Sequence, residues 1–347
     1  MEILKQWFIS LPMMVCLFWF IFFVVRSFRS NDEPRIKWTI LLFYLASTVL
    51  YTNHWLYFSH VETQVGAWLY LIANLSVYPI YFMYLRALTR TRLTWDNYIL
   101  FLPSLLIAIE PSLTIARFCF AVQVIWVWVH GFRLLRATQQ RLDNTYADNR
   151  SYLLRPTHTL LVFIGVTAVV STLLNILGRD TFDGSLLVVI PAVLMSVLLF
   201  SLGYVAAHTF LPQETVAQEE DEEEERAKRA TTAETDELMY KIGTTLREQQ
   251  LFTNPNLTIY DLATAVGSNR TYVSNCINRC TGYSFSQYVA RYRVEHAQQI
   301  LRDPRYTSDK AAITDAIALS GFSSDQTFYR VFKEITGQTP AQFRKNS

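Results

Sequence analysis

The sequence predicts an all-α protein in which a seven-helix transmembrane bundle is followed by tandem helix-turn-helix units. Apolar stretches of about 20 residues, the length that a helix needs to cross a bilayer, are concentrated before residue 211. After residue 236, apolar residues recur at helical spacing between turns that contain glycine. Residues 219–225, EEDEEEE, separate these two parts of the chain.

We therefore divide the chain into a transmembrane domain (1–211), an acidic linker (212–236) and a C-terminal domain (237–347). The linker is either a helical stalk or a disordered spacer. Pairs such as Glu222 and Arg226 favour a helix, whereas a run of like charges is equally typical of disorder. Its negative charge suits two roles: covering a basic DNA-binding face, or keeping the linker solvated and away from anionic lipid.

Seven apolar stretches predict the membrane spans. They are roughly 7–25, 38–58, 66–85, 97–109, 112–130, 158–178 and 186–208. The fourth stretch is short and contains Pro103, so it is either a full span or a half-span buried in the bundle.

Basic residues alternate between the loops that join these stretches. The first, third and fifth loops contain Arg26, Arg29, Arg35 and Lys37, then Arg86, Arg90 and Arg92, then Arg133, Arg136, Arg141, Arg150 and Arg155. The other three loops contain one basic residue, Arg179. Because short loops rich in lysine and arginine stay in the cytoplasm, we expect the N-terminus outside and the C-terminal domain in the cytoplasm. This orientation requires an odd number of spans.

Polar residues within the apolar stretches are candidates for a ligand site. They are Asn53, His54, Asn74, Gln123 and Asn175. Polar groups in a membrane bundle usually face inward and often mark function. The alternative is that they only form hydrogen bonds between helices, while tryptophan and tyrosine form an interfacial belt.

Several classes of membrane protein are excluded or disfavoured by composition. No lysine lies between Lys37 and Lys228, which excludes a retinal Schiff base within the bundle. The near absence of acidic residues from the apolar stretches argues against a proton pump or secondary transporter. No HExxH spacing, phosphate-cradling loop or nucleophile–base pair occurs, and the four cysteines lack further metal ligands. We predict no enzyme activity, cofactor or metal.

Two similar segments follow one another in the C-terminal domain. LTIYDLATAVGS covers 257–268 and AITDAIALSGFS covers 312–323, with Ile259-x-Asp261 and Ile313-x-Asp315 at an offset of 54 residues. Each pattern is typical of a first helix and a glycine-containing turn. The sequence therefore predicts helix-turn-helix units at about 258–282 and about 312–337.

In the first unit, Thr258 with Asp261 resembles a capping box, and Ser268 is the predicted cap of the second helix. A recognition helix presents its early outward positions to the bases of the major groove. The candidates for DNA contacts in this unit are Arg270, Thr271, Ser274, Asn275 and Asn278.

In the second unit, Ser323 or Ser324 is the predicted cap. The candidates for DNA contacts are Asp325, Gln326, Tyr329, Arg330 and Lys333. We assign Gln326 and Tyr329 to bases, and assign Arg330 with Lys333 to phosphates, which fix position without reading sequence. A helix over 284–301 connects the units and would hold them in adjacent major-groove windows about 34 Å apart.

The region 256–345 resembles the AraC/XylS-type DNA-binding domain. The residues that carry the resemblance are Ile259-x-Asp261-Leu262-Ala263, Gly267, Ser274, Gly282, Phe285, Arg293-x3-Ala297, Ile300-Leu301, Gly321-Phe322, Phe328-x-Arg330-x-Phe332-Lys333, Gly337-x-Thr339-Pro340 and Phe343-Arg344. One departure is Ala316-Ile317, where this family usually has an aliphatic residue followed by alanine. The soluble barrel that usually serves as the family's sensor is absent.

The resemblance implies a bacterial regulator that binds double-stranded promoter DNA through both units, with a second copy of the chain and RNA polymerase as further candidate partners. Together with the apolar half, it predicts a multi-pass protein of the bacterial inner membrane that senses a small-molecule or membrane signal. Two alternatives remain open. One is a receptor or transport-like protein whose tail only tethers DNA, and the other is a regulator released from its membrane anchor by proteolysis.

Overall fold

The computed structural model describes residues 2–28, 33–92, 94–110, 112–148, 153–177, 189–208, 232–305 and 308–346, without the side chains of 2, 96, 168, 171–177 and 232–233. Across these ranges the regular structure is helical, as the sequence predicts, and contains no β-strand. The chain divides into two compact units. Unit 1 comprises residues 1–136 and 153–211, and unit 2 comprises residues 137–152 and 212–347.

The described part of unit 1 is built from apolar helices, most of them long. They are α1 (Glu2–Ser27), α2 (Pro34–Phe58), α3 (Gln64–Leu88), α4 (Trp95–Ile99), α5 (Leu102–Ile109), α6 (Leu113–Thr145, of which the last turns belong to unit 2), α7 (Arg155–Leu177) and α8 (Val189–His208). Among the described residues, four stretches are long and apolar enough to cross a membrane: Ile3–Ser27, Gln64–Leu88, Leu113–Thr145 and Val189–His208. The polar Asn53 and His54 lower the mean hydropathy of α2, and several side chains of α7 lie outside the described residues. The predicted count of seven spans therefore stays a prediction.

The fourth predicted span is not one helix. It consists of α4 and α5, which are separated at Leu100 and Phe101, just before Pro103. At a rise of about 1.5 Å per residue, neither piece is long enough to cross the hydrocarbon layer alone. The side-chain amide of Gln123 on α6 donates a 2.7 Å hydrogen bond to the carbonyl of Leu100, which the break leaves without its regular helical partner.

The two pieces nevertheless follow α3 from one end to the other. Arg86, near the end of α3, donates a 3.0 Å hydrogen bond to the side chain of Asn97 in α4. Trp68, near the start of α3, donates one of 3.0 Å to the carbonyl of Ile107 in α5. Residues 68 and 86 are separated by about 27 Å along a helix. Together, α4 and α5 therefore extend over nearly the thickness of a hydrocarbon layer.

Unit 2 contains shorter helices around two apolar cores. They are α9 (Thr232–Glu248), α10 (Ile259–Val266), α11 (Arg270–Thr281), α12 (Phe285–Arg302), α13 (Asp309–Leu319), α14 (Asp325–Thr336) and α15 (Pro340–Lys345), with a 3-10 turn at Leu251–Thr253. The first core buries Ile242 and Leu246 of α9 with the apolar faces of α10 and α11. The second core buries Ala316, Phe328 and Phe332. Helix α12 contributes to both cores, so it connects the two halves of unit 2.

Candidate nucleic-acid interface

Helices α10 and α11 form the first helix pair. The hydroxyl of Thr258 accepts from the backbone of Asp261 while the Asp261 carboxylate accepts from the backbone of Thr258, which confirms the predicted capping box. Gly267 ends α10 at φ +65°, a left-handed conformation that glycine adopts without a steric penalty. The predicted cap of α11 was wrong. Asn269, not Ser268, caps this helix, since its side-chain oxygen accepts a 2.8 Å hydrogen bond from the backbone of Tyr272.

Helices α13 and α14 form the second helix pair, with a turn around Gly321 at φ +81°. Of the two predicted caps, Ser324 is the one that caps α14, through a 3.3 Å hydrogen bond from the backbone of Thr327. The hydroxyl of Ser323 instead donates to the carboxylate of Asp148, a residue that precedes both helix pairs in the chain.

The two helix pairs present their candidate DNA contacts differently. On α14, Asp325, Gln326, Tyr329 and Lys333 are exposed, and Arg330 is half-buried. Arg330 forms an ion pair of 3.3 Å with Glu334 on the solvent side of the helix, and such exposed pairs contribute little to stability. The outer face of α14 is therefore open to a large ligand.

On α11, the candidate residues are all half-buried: Arg270, Thr271, Ser274, Asn275 and Asn278. The guanidinium of Arg270 lies 5.6 Å from the ring centroid of Tyr260. Asn275 lines a small cleft between α11 and α9, together with Glu234 and Thr235. Helix α9 thus covers one side of α11.

Arg293 of α12 lies at the junction between the two helix pairs. Its side chain is 1% exposed and donates 2.8 Å hydrogen bonds to the carbonyls of Phe252 and Asn254. Its guanidinium also lies 5.7 Å from the ring centroid of Phe322. Burial lowers the pKa of Arg293 to about 10, and the Asp148 carboxylate opposes this shift, so the guanidinium stays charged at neutral pH.

In the sequence, Arg293 was only one of the residues that carry a family resemblance. The sequence hints at its role only through its position, because Arg293 lies on the otherwise apolar face formed by Val289, Val294 and Ala297. Buried arginine requires partners, and those partners come from distant parts of the chain.

Unit 1 contains a cavity of about 420 Å³ among its helices. Of the five candidate ligand residues, His54 and Asn74 line it. Asn53 instead donates to the carbonyl of Val49 on its own helix, and Gln123 donates to Leu100. The side chain of Asn175 lies outside the described residues.

The cavity wall is mainly apolar and aromatic. Two of its polar atoms, the hydroxyls of Ser47 and Tyr81, are buried and have no hydrogen-bond partner among the described residues. No Asp, Glu, Lys or Arg is among the described residues that line it. Such a site suits an uncharged, mostly apolar molecule with one or two hydrogen-bonding groups.

Comparison with known proteins identifies the C-terminal part of the chain. A family model described as a helix-turn-helix domain matches residues 262–346. Over 95 residues, 27% of this chain, the sequence is 35% identical to an uncharacterized HTH-type transcriptional regulator of Staphylococcus aureus, of which the match covers 12%. Over 91 residues, 26% of this chain, it is 34% identical to the melibiose operon regulatory protein of Escherichia coli strain K12, of which the match covers 28%. The chain thus spans less than a third of the length of either relative.

No solved structure matches the chain significantly. The matches nevertheless confirm the predicted AraC-type helix-turn-helix domain at residues 262–346, a stretch that includes most of the first helix pair and all of the second.

Proposed function

We propose that this protein is a membrane-bound bacterial transcriptional regulator that binds promoter DNA through two helix-turn-helix units and senses a signal through its membrane domain. The observation that carries the DNA-binding part is the family match over residues 262–346, since both relatives named above are described as regulators. The exposed polar face of α14, which includes Gln326 and Lys333, is consistent with insertion into a major groove.

The directions of the helices in unit 1 support a cytoplasmic C-terminal domain. Gln6, near the start of α1, donates to the carbonyl of Phe58 at the end of α2, so these helices are antiparallel. Arg26, near the end of α1, donates a 2.6 Å hydrogen bond to the carbonyl of Ala207 near the end of α8. Because the first and last helices then run in the same direction, the chain would cross the membrane an odd number of times. With basic loops inside, residue 208 would face the cytoplasm.

We expect Arg330→Ala and Gln326→Ala to weaken DNA binding in different ways. Loss of the Arg330 phosphate contact should weaken binding to all sequences and lower the salt slope by about one unit. Loss of a Gln326 base contact should weaken the preference for one particular base pair, and lower the discrimination against the wrong base by ~1–3 kcal/mol. Footprinting with the full-length protein in lipid nanodiscs, over a range of salt concentrations, measures both effects.

Glu334→Gln is the matched control, since it removes the ion-pair partner of Arg330 without removing a proposed DNA contact. Its footprint should match that of the wild type. If both test variants leave affinity, salt slope and base preference unchanged, the assignment of the α14 face to DNA is incorrect.

The cavity of unit 1 supports the sensing part of the proposal. Its wall contains the polar side chains of His54 and Asn74. Within the described residues, the wall hydroxyls of Ser47 and Tyr81 have no hydrogen-bond partner, so a ligand that bonded to these two hydroxyls would satisfy buried polar atoms. The ligand class that fits is a small uncharged molecule, mostly apolar, that partitions into the bilayer. A plain membrane anchor has no need for such a site.

We expect His54→Ala and Asn74→Ala to change signal-dependent output of a target promoter by at least about fivefold, a typical allosteric coupling. DNA affinity of the purified protein should stay unchanged, because both residues lie in unit 1. A reporter fused to a promoter that genome-wide mapping identifies measures the output. Ser76→Ala, on the same helix as Asn74 and bonded to the carbonyl of Ile72, is the control. Wild-type output from both test variants would refute sensing at this cavity.

A further inference from the structure

Three residues that follow helix α6 belong to the DNA-binding unit. Residues 137–152 are part of unit 2, although they lie between two predicted membrane spans in the sequence. Helix α6 has 33 residues, more than the ~20 that cross a hydrocarbon layer, so its last turns extend beyond a span. We call residues 146–148 the clamp segment.

The clamp segment is anchored first on the start of the first helix pair. Tyr146 forms an isolated antiparallel bridge with Thr258, and the backbone N–H of Ala147 donates a 2.9 Å hydrogen bond to the carbonyl of Leu257. The side chain of Ala147 is 2% exposed and is part of the first core. This segment is therefore packed like an added piece of the domain, not like a surface loop.

The same segment reaches the connecting helix α12. The carbonyl of Ala147 accepts 3.4 Å hydrogen bonds from the hydroxyl of Ser286 and from the guanidinium of Arg293. These bonds join residues that are 139 and 146 positions apart in the chain.

The third anchor is the second helix pair. The carboxylate of Asp148 is buried and accepts from the hydroxyl of Ser323, in the turn before α14. A buried carboxylate is costly unless it is paired, and here the charge of Arg293 also stabilises it. Asp148 therefore contacts the turn that positions the proposed second recognition helix.

We propose that the clamp segment holds the two helix-turn-helix units in one relative placement, so that the cytoplasmic end of the fifth membrane span controls whether both units occupy DNA together. A displacement of α6 would pull Asp148 away from Ser323 and release the second unit from the first. Binding to a two-part site would then lose the benefit of preorganisation. This inference rests on the proposed DNA-binding function.

The test compares two duplexes with full-length protein in nanodiscs. One duplex is selected by the wild-type protein from a random library, and in the other duplex one half of the protected region is scrambled. We expect Asp148→Ala and Ser323→Ala each to weaken binding to the intact duplex about tenfold, with unchanged binding to the half-scrambled duplex. Asp148→Asn keeps a hydrogen-bond acceptor and should recover much of the affinity.

Asp309→Asn is the matched control, since the exposed carboxylate of Asp309 forms an ion pair with Arg344 away from the clamp segment. Its binding should equal that of the wild type on both duplexes. Equal weakening on both duplexes by Asp148→Ala would indicate a damaged domain and overturn the clamp, as would wild-type affinity on the intact duplex. Failure of the wild-type protein to select any duplex would instead overturn the proposed function itself.

Discussion

Replacement of Gly321 by alanine is expected to destabilise the C-terminal domain by roughly 2–5 kcal/mol and to abolish DNA binding. Gly321 is buried and has a φ of +81°, so any side chain meets a backbone penalty. A Cβ atom there would also lie 2.4 Å from the carbonyl oxygen of Phe252 and 2.7 Å from the Cα of Thr253. Those atoms are backbone and cannot move aside cheaply. Proteolysis of the full-length protein across a urea gradient measures the loss of stability.

Gly337→Ala is the control for this prediction. Gly337 has a similar φ of +75°, but a Cβ atom there would meet nothing within 4 Å. It should therefore show only the backbone penalty of about 1–2 kcal/mol. If the two variants lost equal amounts of stability, the close approach of Gly321 to residues 252–253 would have no effect on the free energy of unfolding.

Replacement of Arg293 by methionine is expected to lower the free energy of unfolding by about 3–5 kcal/mol. This is the range observed when one member of a buried charged network is removed. The change leaves the carbonyls of Phe252 and Asn254 without their donor and leaves Asp148 without its neighbouring positive charge. Arg293→Lys should not restore stability, because one ammonium group cannot reproduce the fork geometry that reaches both carbonyls. Proteolysis of the full-length protein across a urea gradient measures the stability of both variants.

Arg291→Met is the matched control on the same helix. Arg291 is exposed, and its guanidinium lies 4.0 Å from the ring centroid of Tyr283, a contact worth roughly 0.5–1 kcal/mol. A loss at Arg293 as small as that at Arg291 would show that the buried network contributes little to stability.

Local patterns in the sequence predicted much of the C-terminal domain. The capping box of Thr258 and Asp261 and the turn at Gly321 involve neighbours in the chain, so composition and spacing predict them. The cap of α11 was missed because Ser268 and Asn269 are both good caps, and only the backbone geometry selects between them. Whether the candidate residues of both helix pairs contact DNA stays a prediction.

In unit 1, apolar length predicted where helices occur but not what their polar residues do. Gln123 compensates the break between α4 and α5, whereas His54 and Asn74 line a cavity. These roles depend on which helices are neighbours, and single-helix patterns contain no information about that.

By itself, the sequence determined the helical class and the helix-turn-helix domain, because each depends on residues within a few turns of one another. The acidic linker stays a prediction, since residues 209–231 lie outside the described part of the chain. Only the tertiary structure decided that Ala147 and Asp148 pack against Arg293 and Ser323. Those partners are 146 and 175 positions apart. Periodic patterns in a sequence report contacts within one helix or turn, so they do not predict hydrogen bonds between such distant residues.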